Sequence, residues 1–242
     1  MMPLPPFFAL QHFGEIDSTS DEARRRAAAG AAEGLVIWAD RQSAGRGRQG
    51  RAWQSPRGNL YCSLLLRPGK PPGEVAQLSF AAALAVCDAL PGPGAPRCKW
   101  PNDVLIDGRK VAGILLESEA AGDNVAALII GFGINLKSHP EGTATPATSL
   151  AAVGVRTTPG TVLGDLCRRF LPWYETWRER GFAPLREAWL GRAHGLGGEI
   201  RVRQGALETR GRFVDLDASG ALVLETGEGR RHIPAGDVFA TG

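Results

Sequence analysis

The chain has 242 residues, of which 43% are hydrophobic and 22% charged, and its formal net charge is +3 at pH 7. This balance is typical of an ordinary globular protein with one large domain, or with one large and one small. So small a positive excess does not indicate a nucleic-acid or membrane partner, which usually requires a concentrated basic face. The four cysteines contain no CxxC pair, so the sequence predicts free thiols and no metal site. Without a signal peptide or an apolar run of about 18 residues, it also predicts a cytoplasmic protein.

Helix and strand patterns alternate through the first part of the chain. A capping-box pattern starts the first predicted helix at Ser18 or Thr19, and the helix ends at Ala29. Asp107-Gly108 favours a type I′ hairpin turn between two apolar runs. Hairpins combined with crossovers predict an α+β fold around a mixed sheet flanked by helices. The strands are predicted at 34–40, 59–67, 103–106, 109–117 and 125–134, and the further helices at 73–90, 161–180 (interrupted or restarted at Pro172) and 184–194.

The composition changes near 195–198, where helical patterns give way to short alternating runs. The runs cover 199–203, 207–214, 221–225 and 232–239. Turn residues separate them, so they predict a small all-β module of roughly 45 residues that shares a face with the main domain. We therefore divide the chain into a main domain at 1–194 and a β module at 195–242.

Three glycines and three arginines occur in the seven residues from Gly45 to Arg51, and Trp53 follows. The segment contains GxGxxG, but a dinucleotide site needs a helix after this motif, and a loop and strand are predicted instead. A phosphate-binding P-loop is also excluded, because Arg51 and Ala52 replace its lysine and hydroxyl. Glycines let backbone N–H groups approach a ligand, and arginines offer forked donors to phosphate or carboxylate. The alternative is a basic surface turn without function.

A second segment runs from Lys99 to Gly113. Lys110 occurs in an otherwise apolar strand, so its ammonium must reach water or meet an anion. Gly113 in the same strand indicates close approach by a ligand or another strand. Taken alone, Lys110 is better explained as a solvent-facing lysine on an edge strand.

A third segment, Gly131–Asn135, ends the strand predicted at 125–134. Asn135 either hydrogen-bonds a ligand or turns the chain, and alone the turn is favoured. Ser18 and Thr19 similarly have a plain explanation as helix caps, and Trp53 and Trp100 have one as core aromatics.

Together, these segments resemble the biotin–protein ligase family. The matching stretches are DSTS at 17–20, RQSAGRGRQGRAW at 41–53, GNLYCSLLLRP at 58–68, KWPNDVLIDGRKVAGILLE at 99–117 and GFGIN at 131–135. The resemblance implies a catalytic domain related to class II synthetases, followed by a small SH3-like barrel. Too few residues precede the DSTS motif for the DNA-binding domain of the bifunctional members, so a monofunctional ligase without DNA binding is expected.

The resemblance also implies a two-step reaction. Biotin and Mg-ATP would form biotinyl-5′-AMP and pyrophosphate, and a lysine of a biotin carboxyl carrier protein, such as that of acetyl-CoA carboxylase, would then take the biotin. The expected cofactor is Mg²⁺ with ATP, and the expected partners are biotin, ATP and the carrier, with no DNA or membrane. The family also allows a homodimer.

Roles for particular residues follow from the same resemblance. Lys110, Arg46 and Arg48 would be catalytic, with Lys110 bridging biotin's carboxylate and the α-phosphate. The loop at 45–53 would be poorly ordered without ligand and close over the intermediate. The biotin-binding residues would be Ser18, Thr19, Gln42, Gly45, Arg46, Gly47, Arg48, Lys110 and Gly113, and the ATP-binding residues Arg48, Arg51, Trp53, Lys99, Asn102 and Asn135.

Two other functions fit parts of the sequence. A lipoate–protein ligase or octanoyl transferase shares the catalytic fold, but the GRGRQGRAW and KWPND segments favour biotin. A non-catalytic adaptor that binds biotin or the carrier is disfavoured because Arg46, Arg48, Lys99 and Lys110 are all present.

Overall fold

The computed structural model describes residues 3–92, 94–143 and 145–240, so the outermost residues of the two predicted domains lie outside the described residues. The larger of two sheets has seven strands in the order β1-β2-β3-β7-β6-β5-β4. β1 and β2 are parallel, and every other neighbouring pair is antiparallel, which confirms the predicted mixed sheet. The strands are β1 (Ala9–Phe13), β2 (Leu35–Ala39), β3 (Leu60–Leu66), β4 (Arg97–Lys99), β5 (Asp103–Ile106), β6 (Arg109–Ala121) and β7 (Asn124–Ile134).

Helices cover both faces of this sheet. Alternate residues of a strand point to opposite faces, and in β3 Leu64 and Leu66 join the core beneath α3 and α4, whereas Leu65 packs with α1. β3 is therefore buried on both sides, which explains its nearly continuous apolar sequence. The helices are α1 (Thr19–Ala28), α2 (Pro72–Val75), α3 (Leu78–Ala89), α4 (Pro159–Arg180) and α5 (Ala183–Leu190), and short 3₁₀ turns lie at Arg48–Gly50 and Ala151–Val153.

The second sheet has five antiparallel strands in the order β11-β10-β9-β8-β12. The two edge strands, β11 and β12, do not pair with each other within the described residues, and no closed barrel is observed there. The SH3-like barrel therefore stays a prediction, as does the division of domains between residues 194 and 195. The strands are β8 (Glu199–Gln204), β9 (Leu207–Leu216), β10 (Leu222–Thr226), β11 (Gly229–Ile233) and β12 (Asp237–Ala240).

The structure corrects three of the predicted helices. The helix predicted at 73–90 is divided into α2 and α3, because the backbone at Gln77 and Phe80 makes tighter bonds to carbonyls three residues back. The predicted break at Pro172 is absent, since buried Phe170 and Tyr174 carry the apolar face of α4 past it. The helix predicted at 184–194 ends at Leu190, after which the chain pairs with β4.

The sequence patterns also missed three short strands. β1, β4 and β11 were not predicted, and the run predicted at 232–239 contains the end of β11 and most of β12. β1 and β4 are the two edges of the large sheet, and β11 is an edge of the small one. Half-exposed edge strands need no continuous apolar run, so the composition of their sequence gives little signal.

The second sheet packs directly against the helices and the KWPND segment. The indole N–H of Trp100 donates to the carbonyl of Gly220 at 3.1 Å. A side chain at Gly220 would lie 2.7 Å from the ring of Phe80, so this approach requires glycine. The contact brings strands β8 and β12 beside the end of β4. In the described part of the chain, no helix is both long enough and apolar enough to cross a membrane.

Candidate active site

A cavity of about 340 Å³ lies between the start of α1, the loop at 45–53, strands β5 to β7 and the edge of the second sheet. Every residue predicted for the site lines this cavity except Gly45. The elements that supply these residues are far apart in the sequence, and the sheet brings their ends together. The structure thus places the predicted residues in one site, whereas their individual roles stay predictions.

A buried network of hydroxyl and amide groups forms one end of the cavity. Ser18 caps α1 by accepting from the backbone N–H of Asp21, as the capping pattern predicts. The hydroxyl and backbone N–H of Thr19 donate to Oε1 of Gln42, at 3.0 and 2.8 Å. Ser63 of β3 donates to the Thr19 hydroxyl at 2.8 Å. Thr19 and Ser63 are 3% and 0% exposed, so this end is fixed and neutral.

Gly45 supports the loop and does not line the cavity. A side chain at this position would lie 2.6 Å from the hydroxyl of Ser55 and 2.8 Å from the carbonyl of Trp53. The carbonyl of Gly45 accepts from the backbone N–H of Trp53 at 2.9 Å, which closes the loop at its base. Gly45 is therefore required by the packing of the loop, and its predicted contact with biotin stays a prediction.

Two glycines on neighbouring strands make a flat platform under the indole of Trp53. Gly113 of β6 lies opposite Gly133 of β7 in the sheet. Side chains at these positions would come within 2.9 and 2.5 Å of the Trp53 ring, so only glycine allows this packing. The indole N–H of Trp53 is buried and has no acceptor among the described residues.

Lys110 faces this platform at the centre of the cavity. Its Nζ lies 2.6 Å from Oδ1 of Asp103 and 5.2 Å from the centre of the Trp53 ring. The interpretation of Lys110 as a solvent-facing residue of an edge strand is wrong, because β6 lies between β5 and β7. The ammonium instead meets an anion of the protein, the carboxylate of Asp103.

Arg46 pairs with the first turn of α1. Its guanidinium donates two hydrogen bonds to the carboxylate of Asp21, at 2.5 and 2.7 Å, and lies 3.5 Å from Glu117. Hydrogen bonds from Arg46 lower the pKa of Asp21 despite its partial burial. Asp21 therefore holds Arg46 beside the cavity as a charged pair.

The other two arginines of the loop reach the second sheet. Arg51 donates to Asp237 at 3.0 Å, and Nη1 of Arg48 donates to the carbonyl of Gly236 at 3.2 Å and to Asn102 at 3.3 Å. Burial lowers the pKa of Arg48, an effect that the nearby Asp237 partly opposes. Arg48 and Arg51 therefore hold the loop against strand β12. Guanidinium groups of this kind also bind phosphate.

The remaining predicted residues occupy strand ends around the cavity. Lys99 donates to the hydroxyl of Thr145 at 3.1 Å, and burial lowers the pKa of its ammonium. Asn102 donates to the carbonyl of Ile114 at 2.6 Å. Asn135 is buried and donates to the carbonyl of Thr148 at 3.0 Å, so its side chain ties the end of β7 to a segment 13 residues farther along the chain.

Comparison with known proteins identifies the family. Residues 15–135 match the biotin/lipoate A/B protein ligase family, and residues 195–240 match the biotin protein ligase C-terminal domain. A biotin–[acetyl-CoA-carboxylase] ligase from Paracoccus denitrificans is 44% identical over 236 residues, which cover 93% of this chain and 98% of that protein. The chain belongs to the biotin protein ligase family.

Other members of this ligase family agree over similar lengths. The biotin–[acetyl-CoA-carboxylase] ligase of Mycobacterium tuberculosis is 35% identical, over 91% of this chain and 85% of that protein. Among solved structures, the biotin protein ligase from Aquifex aeolicus in complex with biotin and ATP superposes with a TM-score of 0.80. It is 30% identical, and the match covers 95% of this chain and 97% of that one.

Several residues of this ligase site were not predicted from the sequence. Ser63 carries a detectable signal, because it is the polar residue of an otherwise apolar strand. Asp103 lies within the KWPND motif, but its pairing with Lys110 depends on how β5 and β6 meet. Asp237, Arg203 and Phe239 have no comparable signal in the sequence, because they reach the cavity from the second sheet.

Proposed function

We propose that this chain is an ATP-dependent biotin–protein ligase that forms biotinyl-5′-AMP and transfers biotin to a lysine of a carrier protein. One observation carries the proposal: the cavity joins a neutral hydroxyl and amide network to a cluster of cations across a glycine platform. A ligand with a neutral polar ring, an apolar chain and a carboxylate matches this order of groups. The family relationship supports the same reaction.

The neutral end of the cavity favours biotin over lipoate. Biotin's ureido group has a carbonyl acceptor and two N–H donors, and hydroxyls such as those of Ser18 and Thr19 can both donate and accept. Lipoate ends in a dithiolane ring that makes no such bonds. The Ser18 hydroxyl accepts from Asp21 but donates to no described residue, so a dithiolane would leave this one buried donor unsatisfied, at a cost of about 1–3 kcal/mol.

The cations serve the first step. An oxygen of biotin's carboxylate attacks the α-phosphorus of ATP, the bond from that phosphorus to the β-phosphate oxygen breaks, and pyrophosphate leaves. Both reactants are anions, so the chemical requirement is to hold them together and stabilise the charge of the transition state. Lys110 lies between the platform and Asp103, where its ammonium can exchange this carboxylate for substrate oxygens. Arg48 and Arg51 would neutralise the phosphates.

In the second step, the amine of a carrier lysine attacks the acyl carbon, the acyl–phosphate bond breaks, and AMP and a proton leave. The mixed anhydride must be kept from water until then. The loop at 45–53 lies across the cavity and is anchored at its base and at Asp237. We assign it the role of a lid on the intermediate.

Magnesium would enter this site with ATP. The described residues contain no group of three or more His, Cys, Asp or Glu side chains that could hold a metal by themselves. Mg²⁺ usually takes one or two protein oxygens and shares its other positions between phosphates and water. The oxygens of Asn102 and Asp103 fit that requirement, and the ion would supply charge to the phosphates.

Pyrophosphate release by the purified chain tests the proposal. The assay contains Mg-ATP with biotin or lipoate, with and without a carrier domain whose mass is measured afterwards. We expect release with biotin and a mass gain of one biotin on the carrier. Release with lipoate alone would assign the chain to lipoyl transfer, and no release from folded protein would support the non-catalytic adaptor.

A further inference from the structure

The cations that line the cavity outnumber its carboxylates. Six lysines and arginines contribute, against two acidic residues, Asp103 and Asp237. Both carboxylates already have partners, because Asp103 pairs with Lys110, and Asp237 pairs with Arg51 and lies 3.7 Å from Arg48. Within the described residues, Lys99 and Arg203 make no ion pair at all. The cavity therefore holds two cations without a direct ionic partner, although the more distant charges of Asp103 and Asp237 partly compensate Lys99.

Lys99 lies on β4 of the large sheet and Arg203 on β8 of the second sheet, but both side chains approach the same aromatic ring. Arg203 of β8 lies opposite Asp237 of β12, so both side chains point to the cavity face of the second sheet. The guanidinium carbon of Arg203 lies 4.9 Å from the centre of the Phe239 ring, and Nζ of Lys99 lies 6.0 Å from it. Stacking on the ring orients the Arg203 fork and leaves its N–H donors free.

Two cations beside one ring repel each other, and because Arg203 is exposed, an anion that enters the cavity can reach both. Burial disfavours the charge of Lys99 and lowers its pKa, and Asp103 and Asp237 oppose this cost only in part. An anion held by Lys99 and Arg203 would remove this cost. Because Lys110 faces the reacting centre, the anion that Lys99 and Arg203 receive lies farther out, towards the second sheet.

We propose that Arg203, oriented by Phe239 and together with Lys99, binds the terminal phosphates of ATP and the pyrophosphate that leaves. This inference rests on the proposed function, since it names the part of the nucleotide that the second sheet receives. A forked guanidinium and an ammonium match a multiply charged phosphate group. The second sheet then participates in adenylation itself.

The test compares Arg203→Gln with Arg230→Gln. Arg230 is an exposed arginine on β11, at the opposite edge of the same sheet and outside the cavity. Three quantities are measured: the Kd of pyrophosphate by calorimetry, the KM of ATP in the first step, and the rate of transfer to the carrier from supplied biotinyl-5′-AMP. We expect Arg203→Gln to raise the Kd of pyrophosphate and the KM of ATP about tenfold, as for one lost charge-assisted bond.

Three further comparisons distinguish a phosphate-binding role of Arg203 from its other possible roles. Transfer from supplied biotinyl-5′-AMP should be unchanged in Arg203→Gln, Arg230→Gln should behave as the wild type, and Arg203→Lys should restore part of the affinity. An unchanged Kd of pyrophosphate in folded Arg203→Gln overturns the inference. So does a rise confined to the KM of the carrier, which would make Arg203 a docking residue. If the wild type binds pyrophosphate in an Arg203-dependent way but shows no turnover with biotin, the subsite stands and the proposed function fails.

Discussion

One end of the cavity is lined by hydroxyl and amide groups on regular secondary structure, whereas the other is lined by cations on a loop and on the second sheet. At the neutral end, Thr19, Gln42 and Ser63 satisfy one another without a ligand. At the cationic end, Asp103 and Asp237 hold the places that substrate anions would take. On the proposed function, the acid would be selected by a fixed surface, and the nucleotide would be bound by exchange of ionic partners.

The largest effect is expected for Lys110, which lies between the neutral end and the cationic end of the cavity. Lys110→Ala should reduce biotin-dependent pyrophosphate release about 10³-fold, because it removes the charge that stabilises the reacting anions. Its thermal unfolding should stay close to that of the wild type. Lys70→Ala is the matched control, since Lys70 is an exposed lysine that pairs with Glu74. Near-normal release by Lys110→Ala would exclude the central role of this residue.

A substitution of an uncharged residue at the neutral end should affect only the binding of biotin. Thr19→Val removes the hydroxyl between Gln42 and Ser63 at nearly constant volume. We expect the KM of biotin to rise about 30-fold, equivalent to roughly 2 kcal/mol, with the KM of ATP unchanged. Thr209→Val on β9 is the control, because its hydroxyl lies outside the cavity. Equal increases in both KM values would show that the two ends are not separate.

The two ends should also differ in their response to pH. Burial lowers the pKa of Lys99, so it loses its proton at a lower pH than a solvated lysine, whose pKa is about 10.4. The KM of ATP should therefore begin to rise at a lower pH than the titration of a solvated lysine would allow, whereas the KM of biotin stays level. Lys99→Arg should remove the rise, because arginine stays charged. A parallel rise in the KM of biotin would contradict this assignment.

The smallest expected effect concerns the loop. Asp237→Asn removes the ionic partner of Arg51, so amide exchange at 45–53 should become about threefold faster in the ligand-free protein. Biotin with ATP should slow exchange across the loop in both proteins, while peptides from β3 serve as the internal control. Exchange at 45–53 that does not respond to the ligands would show that the loop is not a lid.

The sequence predicts most residues of both ends, but it predicts few of the contacts between them. The helix cap at Ser18 follows from neighbouring residues alone, whereas Gln42 was assigned only through the family resemblance. Asp237 meets Arg51 across 186 residues of chain, so only the packing of the second sheet brings them together. Lys110 is an intermediate case. The sequence predicts that it belongs to an apolar strand, but it does not predict whether that strand lies inside the sheet or at its edge.

The same distinction applies to the fold. Long buried elements such as β3 and the Asp107-Gly108 hairpin are predicted correctly, since their signals are local and strong. The uninterrupted helix α4 is not, because its stability at Pro172 comes from aromatic packing on both sides of the proline. Tertiary contacts of this kind outweigh the local preference.

The exchange of labelled pyrophosphate into ATP tests the central claim most directly, because it isolates the first step and needs no carrier. The purified chain is incubated with Mg-ATP, labelled pyrophosphate and either biotin or lipoate. A cavity with one end for a ureido ring and another for a nucleotide predicts exchange that depends on biotin and is absent with lipoate. Exchange with lipoate alone, or none with either acid from folded protein, would contradict the account.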